Sequence, residues 1–192
     1  MRKQRLKRLA PEFYRGEAWV HWTLTIADRR TGWLDRAFLL RFREILTHHL
    51  FRGQIACPIY CLMPDHIHLL WNGVARGASQ LDTMRRLRVD LGALLKQSGF
   101  RFQKRAYDHV LRDDERLPEA IEGLIEYIAH NPERKSLLNE DESSRYPFTG
   151  CLMPGYPRLR LFTDGWDSLW KVFATLRKTE CHRLPATSPS SD

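Results

Sequence analysis

The stretch Cys61-Leu-Met-Pro-Asp-His-Ile-His-Leu-Leu-Trp71 decides how the chain folds. Pro64-Asp65 is a turn signal, with an apolar run from Ile55 to Met63 before it and Ile67 to Trp71 after it. Two apolar runs joined by so short a turn read as the two strands of a hairpin. Side chains two apart on a strand share a face. His66 and His68 therefore point the same way, with Cβ atoms ~7 Å apart, and Ile67 points into the opposite layer. Two imidazoles so placed can lean onto one divalent ion. Taken alone, a His-x-His pair can equally be two strand histidines that hydrogen-bond locally.

Upstream, residues 18–26 are aromatic and β-branched with partial alternation and read as a first strand. Residues 28–32 form a loop. Phe38, Leu39, Phe42, Ile45, Leu46 and Leu50 make a helical stripe over 34–51, which Gly53 ends. Downstream, a second helix over 81–96 is followed by a fourth strand within 100–111, with Tyr107 and Val110 as packing residues. The order βαββαβ is the ferredoxin-like pattern, an α+β class with an antiparallel sheet and helices on one face. A third helix follows, with Asp113 or Asp114 as its cap and Pro118 in its first turn. Leu117, Ile121, Leu124, Ile125 and Ile128 form its apolar face. Tyr127 lies on the flank, Asn131 is one turn on beside it, and Pro132 stops the helix. Tyr146 begins an irregular segment, 165–177 reads as one more helix, and the Pro/Ser-rich residues 184–192 as a disordered tail.

With 192 residues, 43% hydrophobic and 28% charged, the chain has the length and balance of one globular domain with tails. No apolar run is long enough to span a bilayer. The basic start has no apolar stretch behind it and is not expected to be a secretory signal. Cys57, Cys61, Cys151 and Cys181 show no tight pairing pattern, and Cys57 and Cys61 are too widely spaced for a zinc knuckle. The expected setting is a reducing cytoplasm. A net charge of +8 and a pI near 9.6 suggest a polyanionic partner, most often nucleic acid. Arg2, Lys3, Arg5, Lys7 and Arg8 form a basic arm over residues 1–11. Arg85, Arg86, Arg88 and Lys96 lie mostly off the apolar stripe of the second helix. Both sets suit phosphate contacts, and both also read as solvated surface.

Three stretches in this order resemble the single-tyrosine HUH transposases, and among them the REP-associated tyrosine transposases. They are the 61–71 stretch, Ala106-Tyr-Asp-His-Val-Leu-Arg-Asp113 and Glu126-Tyr-Ile-Ala-His-Asn-Pro132, closed by Tyr146-Pro-Phe-Thr149. The resemblance covers about residues 12–150. It implies a catalytic domain there and an enzyme that cuts and rejoins single-stranded or hairpin DNA; residues 151–183 match no part of the family pattern and read as a C-terminal extension. By position it makes His66, His68 and Asn131 the metal ligands, with Mg²⁺ or Mn²⁺ as the ion. Tyr127 becomes the nucleophile that forms a 5′-phosphotyrosine. A tyrosine of ordinary pKa ~10 needs such help to lose its proton near neutrality. The implied partners are DNA and, at most, a second copy, as monomer or homodimer, in the cytoplasm at the nucleoid.

Ser136 departs from the family, which has a small Gly or Ala there. His130 reads as a last-turn helix histidine within reach of a metal. Asp108 and His109 are expected to make structural hydrogen bonds, His48 and His49 to lie on a helix surface, and Trp19, Trp22 and Trp71 to be core. Two rivals stand against this reading. One is a non-catalytic nucleic-acid-binding module on the same fold. The other is a metal-dependent hydrolase that uses water in place of Tyr127.

Overall fold

The structure is a computed structural model that describes residues 8–139, 142–156 and 158–181. Arg2, Lys3, Arg5 and Lys7, and the tail 184–192, lie outside the described residues. Five strands form one antiparallel sheet: β1 (Trp19–Thr25), β2 (Ile55–Met63), β3 (His66–Gly73), β4 (Tyr107–Val110) and β5 (Thr149–Leu152), in the order β4-β1-β3-β2-β5. The first four follow the ferredoxin-like order. β5 falls in the segment read from sequence as irregular. Four residues with one buried side chain are too few to show a period.

The hairpin forms as expected. Met63 pairs with His66, so Pro64 and Asp65 alone make the turn. Trp33 Nε1 donates to Pro64 O at 2.5 Å and Ile26 N to Asp65 O at 2.9 Å, which fix the turn against the first strand's end. Pro58 lies where the β2–β3 register shifts between Ala56 and Ile59. Proline has no N–H to give the ladder, so a central strand takes it at an irregularity.

Alternation divides the side chains of β1 and β3 cleanly. Val20, Trp22, Leu24, Ile67, Leu69 and Trp71 face α1 (Arg36–Gly53) and α2 (Gln80–Gln97), in a core with Phe42, Leu46, Leu87 and Leu91. Trp19 and Leu70 face the other way, with Ile59, Cys61 and Met63 of β2, against Ile121, Ile125 and Ile128 of α3 (Pro118–Ala129) and Trp166 and Trp170 of α5 (Asp164–Cys181). The first two helices share one face, as the sequence suggests, and α3 and α5 cover the opposite one. β2 and β3 are buried along their whole length for that reason.

Helix ends differ in detail from their sequence reading. Asp35 caps α1 by accepting from Phe38 N at 2.7 Å. The residue that turns left-handed after α1 is Gln54, with φ 54°, not Gly53. Gly53 is needed for another reason: a Cβ there would lie 2.4 Å from Thr83 Oγ1 on α2. Asp113 and Asp114 do not cap α3; residues 114–116 form a separate 3₁₀ turn, and Leu117 is the cap residue with no side-chain bond. Pro118 does open the helix. Pro132 marks the end of α3 as expected, though not the end of the chain's coiling. α3 breaks at His130, and a short α4 (Asn131–Arg134) restarts with Pro132 in its first turn, where a missing N–H costs nothing.

Tyr107 is exposed rather than packed, because β4 is an edge strand, whereas Val110 is buried. His49 is buried, not on the surface, and its Nε2 meets Asp90 Oδ2 at 2.7 Å between α1 and α2. Trp19, Trp22 and Trp71 are all core.

Gly73 ends β3 where the chain before β1 crosses it. A Cβ on Gly73 would fall 1.7 Å from Gly16 O, a backbone atom that cannot yield as a side chain would. Gly73→Ala is expected to cost roughly 3 kcal/mol. Gly123, inside α3 with open space around it, is the contrast: Gly123→Ala is expected to stabilise by about 0.5–1 kcal/mol. Urea denaturation of the two variants checks both signs.

Candidate metal centre and nucleophile

The two histidines of β3 meet as their spacing suggests. His66 Nε2 and His68 Nε2 lie 2.8 Å apart, with the rings close to perpendicular at 87°. Both residues are buried. With a metal–nitrogen bond of about 2.1 Å, nitrogens at that separation subtend nearly a right angle at a shared ion. Two nitrogens so placed could hold one divalent cation between them.

Each ring is held from behind. His66 Nδ1 meets Asp65 Oδ1 at 2.5 Å, and Asp65 Oδ2 accepts from Arg29 at 2.6 Å. Burial alone would raise the Asp65 carboxyl, but its hydrogen bonds with His66 and Arg29 hold it below its usual range. A carboxylate behind a histidine fixes the tautomer that leaves Nε2 bare, the form a cation needs. His68 Nδ1 faces His21 Nε2 at 3.0 Å and Thr23 Oγ1 at 3.3 Å. Burial pushes His68 down to about 3, with the adjoining His21 and His66 adding to it. Burial, then His109 and His66, brings His21 down to about 4. Both rings are thereby held neutral near pH 7, the form in which an imidazole nitrogen can bind a cation or accept a hydrogen bond.

From the sequence, Asp65 reads only as a turn residue, and His21 and Thr23 are not singled out. His21 and Thr23 stand on the same face of β1 as Trp19, and the alternation of 19–26 carries that signal. Only the register, with Thr23 opposite His68, brings them to the pair.

Tyr127 and Asn131 stand on the same side of the sheet as the histidines, since α3 packs on that face through Ile121, Ile125 and Ile128. They do not share a flank as a continuous helix would place them. Tyr127 is 44% exposed whereas Asn131 is buried, because the break at His130 turns Asn131 inward. Asn131 Nδ2 donates to Tyr127 O at 3.0 Å and Ile128 O at 3.3 Å. With its nitrogen so used, only Oδ1 of this amide is left to meet a cation. The Arg134 guanidinium lies 4.3 Å from the Tyr127 ring centre. Among the described residues, no hydrogen bond or ring contact joins Tyr127 or Asn131 to the histidine pair, and no third His, Cys, Asp or Glu completes a set of three that could hold one ion. His130 bonds Glu133 at 2.7 Å instead. Ser136 has φ 55°, the left-handed conformation that glycine adopts most easily.

The basic side chains divide in their engagements. Arg8 bonds Asp108 at 2.6 Å and Ala106 O at 3.3 Å, and Asp108 also accepts from Tyr14. Arg88 donates to Gln103 O at 2.7 Å and lies over Phe102. His109 meets Glu115 at 2.8 Å, so Asp108 and His109 make structural bonds as expected. Arg85 pairs with Asp82 at 3.1 Å and Arg86 is exposed, both on α2, in the layer opposite the histidines. A separate cleft of about 510 Å³ opens at the end of β1, lined by Arg30, Lys96, Arg101 and Phe100 among others.

No protein-family model matches the chain, and no curated protein does. Among solved structures it is similar to a REP-associated tyrosine transposase bound to a REP hairpin. The TM-score is 0.61 at 16% identity, over 76% of this chain and 81% of that one. It is also similar to a candidate transposase from Deinococcus radiodurans R1, with a TM-score of 0.42 at 17% identity, over 67% of this chain and 98% of that one. The chain thus has an α+β fold of the ferredoxin-like class. More narrowly, its fold is that of the REP-associated tyrosine transposase. No helix among the described residues is long and apolar enough to cross a membrane.

Proposed function

We propose that the protein is a metal-dependent, transposase-like enzyme that cuts and rejoins single-stranded DNA, with Tyr127 as nucleophile. The observation that carries the reading is the convergence of His66 Nε2 and His68 Nε2 at 2.8 Å, on the sheet face that α3 covers. The neighbour's fold supports it, and its REP hairpin makes a DNA hairpin the natural substrate to try.

In this reading His66 and His68 hold the ion, with Asn131 Oδ1 as the third ligand. Bound there, a divalent cation supplies Lewis-acid polarisation of the scissile phosphate and offsets its charge. Imidazole ligands suit Mn²⁺ better than Mg²⁺, so both support activity and Mn²⁺ the more strongly. Tyr127 Oη attacks the phosphorus, and the 3′-oxygen leaves. The products are a 5′-phosphotyrosine and a free 3′-hydroxyl, so a later 3′-hydroxyl can reverse the step without ATP. Arg134, stacked on the phenol, carries positive charge to where the phosphate must arrive. Arg30, Lys96 and Arg101 flank the end of β1 and offer the strand a basic path.

The test is incubation with end-labelled single-stranded hairpin DNA and Mn²⁺, resolved on a denaturing gel. A slow protein–DNA adduct that EDTA prevents is expected. Tight DNA binding with no adduct and no response to EDTA would mark a binding module. Free 5′-phosphate ends with no adduct would mark a hydrolase.

A further inference from the structure

Both ring nitrogens of His68 face other imidazole nitrogens: Nε2 lies 2.8 Å from His66 Nε2, and Nδ1 lies 3.0 Å from His21 Nε2. Each contact needs one proton between its two atoms, and a neutral imidazole carries a single N–H. Asp65 fixes the starting point. Its carboxylate only accepts, so the His66 proton sits on Nδ1, where the contact is 2.5 Å, and His66 Nε2 is bare. With no cation between the rings, His68 Nε2–H must donate to His66. His68 Nδ1 is then bare and accepts from His21 Nε2–H, with the Thr23 hydroxyl farther off at 3.3 Å.

A cation shared by the two Nε2 atoms reverses these roles. His68 then carries its proton on Nδ1, and the neighbour that donated must accept. A carboxylate at position 21 could not fill the first role, and an ammonium could not fill the second. An imidazole fills both by carrying its own proton on Nδ1 instead of Nε2. The count balances: His21 passes its Nε2 proton to His68 Nδ1 across the 3.0 Å contact and takes one from water on Nδ1, the His68 Nε2 proton leaves to solvent as a cation would arrive, and His66, His68 and His21 hold one proton each before and after. His21 is part-exposed, so water can reach it.

We infer that His21 is a positioning residue for the metal centre: it faces His68 Nδ1 as Asp65 faces His66 Nδ1, and its imidazole lets His68 present a bare Nε2 to a cation. This rests on the metal-binding reading of His66 and His68. It adds to that reading the third histidine of the strip, on the neighbouring strand β1, where the register sets Thr23 opposite His68.

Mn²⁺ titration followed by electron paramagnetic resonance tests it, with wild type, His21→Phe, His21→Gln and Thr23→Val. Removing a partner behind a ligating histidine typically weakens a metal site by about 10–100-fold, and His21→Phe is expected to do so. His21→Gln, whose amide both donates and accepts, is expected to stay within about threefold of wild type, as is Thr23→Val. Affinity in His21→Phe equal to wild type would overturn the role, as would a loss confined to Thr23→Val. Ring ¹⁵N shifts of the wild type give a reading that needs no variant. His68 is expected to carry its proton on Nε2 without metal and on Nδ1 with Mg²⁺, and the same tautomer in both states would overturn the inference. Wild type that binds no Mn²⁺ would refute the seat itself, a failure distinct from that of His21 alone.

Discussion

Tyr127→Phe is expected to abolish the covalent protein–DNA adduct while leaving hairpin binding within about twofold of wild type. The substitution removes one oxygen and nothing else that the fold uses. Tyr127 is 44% exposed, and the ring on which Arg134 stacks remains. Stability is expected to stay within about 0.5 kcal/mol, the usual range for a surface change away from caps and cores. Strand cleavage is expected to fall at least about 1,000-fold, since loss of a nucleophile removes the whole covalent route. A gel-shift assay reads the binding and a denaturing gel the adduct. An undiminished adduct in the phenylalanine variant would place the nucleophile elsewhere in the chain.

His68→Ala is expected to have the next largest effect, on metal affinity before activity. The centre has two imidazoles at 2.8 Å, and no third His, Cys, Asp or Glu among the described residues can take over. Mn²⁺ affinity is expected to fall by more than about 100-fold, beyond what loss of a second-layer partner causes. Calorimetric titration with Mn²⁺ checks it. Asn131→Ala is the informative companion. The Asn131 amide nitrogen closes the end of α3 by bonding Tyr127 O and Ile128 O, and losing such bonds costs about 1 kcal/mol in stability. A drop in Mn²⁺ affinity beyond that loss of stability would assign Oδ1 to the ion. An unchanged affinity would leave Asn131 as the clamp that places Tyr127.

Much of this arrangement is legible in the sequence because the hairpin is local. Pro64-Asp65 sets a two-residue turn, and the turn sets the register of β2 on β3. The period-2 rule then puts His66 and His68 on one face and Ile67 on the other. The period of α3 likewise gives its buried side as Ile121, Ile125 and Ile128. What stayed hidden depends on contacts between distant segments. His21 meets His68 only through the β1–β3 pairing, across 47 residues of chain. Pro132 announces the end of α3, but not the restart at Asn131 that turns its side chain inward. β5 exists because β2 has a free edge there, a property of the sheet and not of residues 149–152.

The fold also explains a spread of roles among the arginines that charge counting cannot see. Arg8 and Arg88 hold the 102–108 segment in place through Asp108, Ala106 O and Gln103 O. Arg29 braces Asp65, and Arg134 covers Tyr127. A net charge of +8 reports the sum of such uses and does not locate a phosphate.

The most direct measurement is the site of attachment itself. Protein incubated with hairpin DNA and Mn²⁺ is digested with nuclease and protease, and the modified peptide is sequenced by mass spectrometry. A nucleotide joined through its 5′-phosphate to Tyr127 Oη is the expected result. A nucleotide on another residue, or cleaved DNA with every tyrosine unmodified, would contradict the account.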